Sequence, residues 1–286
     1  MKIAIATCAT LPVLREDEQL LSEELENLGI ETKPLVWSRD DHRGFDGILI
    51  RTTWDYWRQH REFLAWFEKT RDLRMFNSRE TMTWNLDKSY LFELEEKGVR
   101  IVPSMKIAPG SPVESVAREL RARGWSDVVL KPTISAGADL TFRLKAGAPE
   151  WEARLAEVHG RGDALLQPFQ GSVESSGEVS LLFFNEAGPA YSHAILKTPR
   201  AGDYRVQAEH GGAVKPFEPA KKLIEFGRHA LSCVSTDWTY ARVDILGWES
   251  EPMLGELEMI EPDLFLRYKP ESPQRLARLL AKVIRT

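Results

Sequence analysis

Two short segments place charged side chains where an alternating strand would gather them. Residues 240–246 read Tyr-Ala-Arg-Val-Asp-Ile-Leu, so a period of two turns Arg242 and Asp244 to one face and Val243 and Ile245 to the other. Residues 255–260 do the same with Glu256 and Glu258. If residues 247–251 close a hairpin, the carboxylates of Asp244, Glu256 and Glu258 converge with the Arg242 guanidinium on one side of a sheet. Crowded carboxylates repel unless a cation answers them, and hard oxygen donors suit Mg²⁺, which keeps waters and binds substrate phosphates. The alternative is a solvated outer sheet face of alternating charge, and the residues alone leave both open.

Two lysines add positive charge. Lys131 ends the apolar run Val128-Val129-Leu130 and precedes Pro132 and the small-residue loop 133–138, whose backbone N–H groups could cradle a phosphate. A strand-terminal lysine in water is the plainer reading. Lys88 falls at the start of a helix expected over residues 87–97, where the helix dipole does not favour a cation, so another reason for its presence is expected. Residues 51–57, Arg-Thr-Thr-Trp-Asp-Tyr-Trp, leave a third strand with side chains able to hold a polar ligand. Arg51 suits an anionic group, with Thr53, Asp55 and Tyr56 beside it. Otherwise Thr53 or Asp55 caps a helix and the aromatics pack.

Several other chemistries lack their motifs. There is no GxxxxGK[ST], no GxGxxG after a strand, no HExxH and no protein-kinase motif set. Six histidines are scattered without ligand spacing, and His193, mid-strand, reads as a hydrogen-bonded structural residue. Cys8 and Cys233 lie far apart outside any CxxC, so neither a disulfide scaffold nor a zinc site is indicated.

The elements that must position these residues follow from periodicity. The first hundred residues alternate strand and helix signals: strands at 3–6, 31–36 and 46–51, helices at 16–28 and 62–69. That order implies a doubly wound parallel sheet with ligands beyond the carboxyl ends of its strands. After Pro103, Pro109 and Pro112 a compact α+β unit runs to about residue 170. Antiparallel strands are then expected at 178–185, 190–196 and 204–208, a helix at 220–234, a hairpin over 240–246 and 252–259, and a terminal helix at 273–284. In a chain of 286 residues, 38 basic against 43 acidic side chains give a formal charge of −5, which argues against a general basic surface for nucleic acid. No run of ~18 apolar residues suggests a membrane span, and a cytoplasmic address is expected.

Taken together, Lys88 in Trp84-Asn85-Leu86-Asp87-Lys88, the strand Val129-Leu130-Lys131-Pro132 and Gln167-Pro168-Phe169 resemble the nucleotide-binding half of ATP-grasp enzymes. Arg242-Val243-Asp244 and Glu256-Leu257-Glu258 resemble their metal-binding half. Within that superfamily the chain is similar to the glutathione synthetase-like branch. Residues 51–56, Gly177-Glu178-Val179-Ser180, Ser192-His193-Ala194 with Lys197, Asp203-Tyr204-Arg205-Val206-Gln207 with Gly211-Gly212, and Glu258-Met259-Ile260-Glu261-Pro262 resemble the small bacterial cyclo-ligases of D-cycloserine biosynthesis and their relatives.

The resemblance implies an α/β (α+β) chain with an ATP-grasp fold. Residues 1–80 would form an N-terminal doubly wound parallel-sheet domain that binds substrate. Residues 81–286 would form the ATP-grasp region, with an α+β lid at 103–168 and an antiparallel-sheet subdomain at 169–286. It implies that Lys88 and Lys131 hold the α- and β-phosphates of ATP, that adenine lies against Gln167, Pro168 and Phe169, and that Glu174 or Glu178 meets the ribose. Asp244, Glu256 and Glu258 would bind Mg²⁺, or Mn²⁺ in its place. Arg242 would stabilise developing charge, and Lys197 and Arg205 would contact the γ-phosphate or acyl phosphate. Glu258 stands where the family pattern has Asn, and Gly137 is the single glycine of a loop that is glycine-rich in many relatives.

The activity implied is an ATP- and Mg²⁺-dependent ligation of a small amino-acid-like substrate. It makes a C–N bond, amide or ring-closing, through an acyl-phosphate-type intermediate. ATP and that substrate would be the partners, with no nucleic acid or membrane, and homodimers are common in the family. A small-molecule kinase on the same fold and a non-catalytic ATP-binding regulatory protein are the alternatives. The intact set of metal and lysine positions argues against the last of these.

Overall fold

Residues 3–6 are wholly buried, which a sheet with one wet face could not achieve. In the computed structural model, which describes residues 1–206 and 210–285, they form an inner strand of a parallel sheet. Its order is β2 (Glu31–Val36), β1 (Lys2–Thr7), β3 (Gly47–Thr52), β4 (Arg74–Met75). Side chains alternate across it, Ile3 and Leu49 to one core, Ala4, Ala6, Ile48 and Ile50 to another. Helix α2 (His60–Lys69) brings Phe63, Trp66 and Phe67 to the second core. The first is covered by α1 (Glu16–Asn27) together with α9 (Ser272–Arg285), whose Leu276 and Leu280 join Leu21 and Leu25. Gly47 permits this approach: a Cβ there would lie 2.7 Å from the Ile284 side chain.

A second sheet, antiparallel, has the order β5 (Met105–Ile107), β8 (Ala164–Pro168), β6 (Asp127–Pro132), β7 (Phe142–Lys145). Helices α5 (Val113–Ala122) and α6 (Trp151–His159) cover one side with Val116, Leu120, Leu155 and Val158.

The third sheet carries the charged strands. It runs β11 (Ala213–Phe217), β10 (Pro189–Thr198), β9 (Glu178–Asn185), β12 (Tyr240–Leu246), β13 (Met253–Glu258), all antiparallel. On one face Val179, Leu181, Phe183, Ala241, Val243 and Ile245 pack beneath α8 (Lys221–Ser232). The opposite face changes character along the strands. At one end Leu182, Phe184, Ile195 and Tyr240 join the core shared with the first sheet. At the other end the same alternation exposes Ser180, Lys197, Arg242 and Asp244 to a cavity or to one another.

Strands β2, β9 and β12 occupy the residues expected of them. The helix expected over 87–97 starts late, as α4 (Tyr90–Glu96); a further helix that was not expected, α3 (Arg79–Leu86), comes just before, and the helical path is interrupted between the two. Asp87 breaks it: its backbone is extended, its carboxylate accepts from the Ser89 N–H at 2.8 Å, and it also accepts from the Thr133 hydroxyl at 3.1 Å. Residues 203–206 form no strand, and the remainder of the strand expected at 204–208, with Gln207, lies outside the described residues. Among the described residues no helix is long and apolar enough to cross a membrane.

His193 on β10 is buried, its Nε2 3.0 Å from the Leu264 carbonyl and its Nδ1 2.9 Å from the Ser192 hydroxyl. Burial pushes its pKa down from 6.5 to about 4. Above pH 6.5 the ring is neutral in both folded and unfolded chains. As pH falls toward 4 only the unfolded chain takes up the proton, so the native state loses stability, up to ~3 kcal/mol from this group. Urea midpoints measured across that window should fall less steeply for His193→Gln than for the wild type; parallel curves would exclude the histidine as a source.

Candidate active site

The hairpin register places the charged residues directly opposite one another: Arg242 pairs with Glu258, Asp244 with Glu256, and on the other side Asp244 with Ser180. Asp244 is a junction. It accepts from Arg242 Nε at 3.0 Å and Nη2 at 3.0 Å, from the Lys197 ammonium at 3.2 Å and from the Ser180 hydroxyl at 2.5 Å. Lys197 also pairs with Glu178, and Arg242 with Glu258. Lys88, in the break between α3 and α4, reaches Glu256 at 3.1 Å and donates to the Ser135 carbonyl at 2.7 Å. Its own N–H donates to the Thr133 carbonyl, 2.9 Å away. Glu256 thereby answers the helix-start charge that looked misplaced.

Arg242, Asp244, Glu256, Glu258, Lys88, Lys197, Glu178 and Ser135 line one cavity of about 830 Å³ between the three sheets, a size within the usual range for small-molecule sites. Lys131 also lines it, with no ion-pair partner among the described residues. Burial lowers its pKa, Glu256 opposes the shift and Lys88 adds to it. Burial would raise Asp244, but Arg242 and Lys197 outweigh it and hold the carboxyl down to about 2. Burial pushes Glu258 up to about 7, with Asp244 and Glu256 working the same way against Arg242. Burial pushes Glu261 to about 8, aided by Glu258.

These donors fit a hard divalent cation in kind. Carboxylate oxygens are the ligands such an ion takes, and Asp244, Glu256 and Glu258 bring theirs to one end of the sheet. Each carboxylate is nonetheless turned toward an amine or guanidinium. Among the described residues no three or more His, Cys, Asp or Glu side chains stand grouped around a common point for a metal.

Gln167, Pro168 and Phe169 line the cavity at the end of β8. Gln167 donates to the Ser104 hydroxyl at 2.9 Å. The Phe169 ring lies 3.4 Å from the Arg143 guanidinium carbon and edge-on to Tyr204 at 5.9 Å. Glu178 lines the cavity. Glu174 is half-exposed, accepts from Arg143 at 2.7 Å and is not among the described residues lining the cavity. Arg205 lines it, held by Asp203 at 2.8 Å. The loop over Lys88 takes left-handed backbone at Gly137 and also at Ala138 and Leu140, so two side-chain-bearing residues adopt a conformation in which glycine is at ease.

Of Arg51, Thr53, Asp55 and Tyr56, only Tyr56 lines the cavity. Arg51 is 1% exposed and its Nε and Nη2 bind Glu18 on α1 at 3.2 and 3.1 Å. Asp55 accepts from the Trp37 indole at 2.6 Å, and Thr53 is fully buried. The expectation that Arg51, Thr53 and Asp55 contact a ligand is corrected: strand β3 ends inside the core, and their side chains are enclosed by neighbouring elements. Arg15, Trp54, Arg58 and Glu261 line the cavity and were not singled out as site residues from the sequence. Glu261 stood in a quoted motif; the loop residue Arg15 carried no periodic signal.

Residues 3–77 match the family model of the N-terminal domain of the D-cycloserine synthetase DcsG. The chain is 28% identical to the cycloserine biosynthesis protein DcsG of Streptomyces lavendulae, over 98% of both. It superposes on a crystal structure of D-cycloserine synthetase DcsG with a TM-score of 0.87 at 26% identity, covering 99% of this chain and 100% of that one. The ATP-grasp ligase PsnB, solved with a minimal precursor, Mg and ADP, shares the fold at a TM-score of 0.62 and 15% identity, covering 99% and 98%.

Proposed function

We propose that this chain, an ATP-grasp ligase of the D-cycloserine synthetase group, spends ATP to close a C–N bond on a small amino-acid-like substrate. The observation that carries this reading is the ladder of Arg242, Asp244, Glu256 and Glu258 on one wall of the cavity, with Lys131 beside it and without an ion-pair partner among the described residues. Anionic phosphates answer Lys131, and the carboxylate oxygens of the ladder are the ligands a divalent cation takes. Likeness to DcsG along the whole chain favours ring closure over joining two molecules. The division into residues 1–80 for substrate, a lid at 103–168 and residues 169–286 for metal and nucleotide goes with this reading.

Lys88 and Lys131 bind the α- and β-phosphates, and Phe169, Pro168 and Gln167 form the surface against which adenine lies. Asp244, Glu256 and Glu258 would hold Mg²⁺, which neutralises triphosphate charge. A substrate carboxylate oxygen attacks the γ-phosphorus and ADP leaves. Arg242, fixed between Asp244 and Glu258, then stabilises the oxyanion as an amine nitrogen attacks the acyl carbon and phosphate departs. Lys197 and Arg205 accompany the transferred phosphoryl group, and the loop over Lys88 excludes water.

Mg-ATP supplied with pools of amino acids and dipeptides should yield ADP and free phosphate together in one pool. ADP without phosphate would indicate a kinase. Lys131→Ala should weaken ATP binding by about ten-fold or more in calorimetry, since it removes the charge that faces the nucleotide. An unchanged dissociation constant would remove Lys131 from the phosphate site.

A further inference from the structure

Glu261 is 8% exposed, lines the cavity and has no ion-pair partner among the described residues. The neighbouring carboxylates Glu258 and Glu256 add negative charge around it, which the Lys88 ammonium, itself paired with Glu256, offsets only in part. A buried carboxylate without a counter-charge is costly, and here the cavity is where one can be supplied. The wall beside it is aromatic. The Tyr56 phenol, 4% exposed, lines the same cavity, and Glu261 is one of the carboxylates that raise its pKa. The Trp54 indole N–H donates to the Glu261 carbonyl at 3.0 Å and so fixes the turn that carries it. The Arg15 guanidinium carbon lies 4.8 Å from the centroid of the same indole ring.

A divalent metal would ask this corner for several free hard oxygens, whereas the neighbouring Glu258 and Glu256 are already paired with Arg242 and Lys88. An ammonium group suits it better: three N–H donors can meet Glu261 and the Tyr56 hydroxyl, with ring faces alongside. We propose that Glu261 anchors the ammonium of the substrate, with Tyr56 as its second acceptor and Trp54 positioning the turn. Arg242, which donates to the carbonyl of Asp263 at 3.3 Å, lies next to this corner. A substrate held by its ammonium at Glu261 therefore presents its carboxyl toward Arg242. The enzyme should require a free primary amine and reject the N-acylated form. This inference rests on the ligase reading above.

Wild type, Glu261→Gln and Tyr56→Phe are each given Mg-ATP with pools of free D- and L-amino acids, and with the same pools N-acetylated, while ADP and phosphate are followed. Free-amine pools should support turnover and acetylated pools should not. Glu261→Gln should raise KM for the active amino acid by about ten-fold or more, and Tyr56→Phe by about three-fold. ADP affinity and the Mg²⁺ concentration for half-maximal rate should stay within about two-fold of wild type, which separates an anchor from a structural or metal-binding role. Equal use of acetylated substrate, an unchanged KM in Glu261→Gln, or a shifted Mg²⁺ requirement would each overturn the anchor and leave the ligase standing. Silence of the wild type in every pool would count against the ligase reading and take the anchor with it. If Glu261→Gln does not fold, the acetylated pools and Tyr56→Phe still decide.

Discussion

Asp244→Asn should lower turnover by about a thousand-fold or more while the protein still folds. The substitution keeps the shape of the side chain and its bond to Ser180, but removes the charge that Arg242 and Lys197 both approach. Arg242 then leans on Glu258 alone and Lys197 on Glu178 alone, so each cation remains paired and the central strand β12 keeps its place. Loss of a buried, shared counter-charge should cost a few kcal/mol, ~3 at most, because neither partner is orphaned. Removing a metal ligand and disorienting the guanidinium both act on the charge that develops during phosphoryl transfer, where such groups are worth several kcal/mol each. A rate within ten-fold of wild type, with ADP and phosphate measured together, would sink the assignment of Asp244.

The second large effect lies away from the cavity. Glu18→Gln should destabilise the fold by about 3–5 kcal/mol, because Arg51 would keep its charge inside the protein with no carboxylate to meet it. Glu18 and Arg51 are 3% and 1% exposed, so water cannot take the place of the lost partner. Replacing both by methionine should recover most of the loss, since two well-packed apolar side chains avoid desolvating either charge. Urea denaturation of the single and double variants tests this, and a loss below ~1 kcal/mol in Glu18→Gln would contradict a buried pair. In each stable variant, ATP affinity should be that of the wild type.

That pair shows where the sequence stopped being readable. Arg51 follows Gly-Ile-Leu-Ile at the end of a parallel strand, which is where ligands gather in such sheets. Its partner sits on α1, and no periodicity along β3 reveals a carboxylate carried by a different element. The charged face of β12 and β13 was legible because two neighbouring strands alternate in phase, and an antiparallel hairpin fixes their register. Lys88 was half legible: its charge was noticed, but the Asp87 turn that divides α3 from α4 depends on contacts with Thr133, far along the chain. Glu261 lies past the end of β13, where alternation has ceased; it stood in a motif of resemblance, but its place beside the cavity shows only in the folded chain.

The packing of α9 against α1 bears on how the protein is made. Leu21 and Leu25 complete their core with Leu276 and Leu280, which emerge from the ribosome last among those residues. At ~5–20 residues per second this leaves the first sheet with an apolar flank open for a time on the order of tens of seconds. During synthesis that flank has none of the cover that Leu276 and Leu280 later give it. A nascent chain arrested before α9 would stay in that uncovered state, however well its strands had paired.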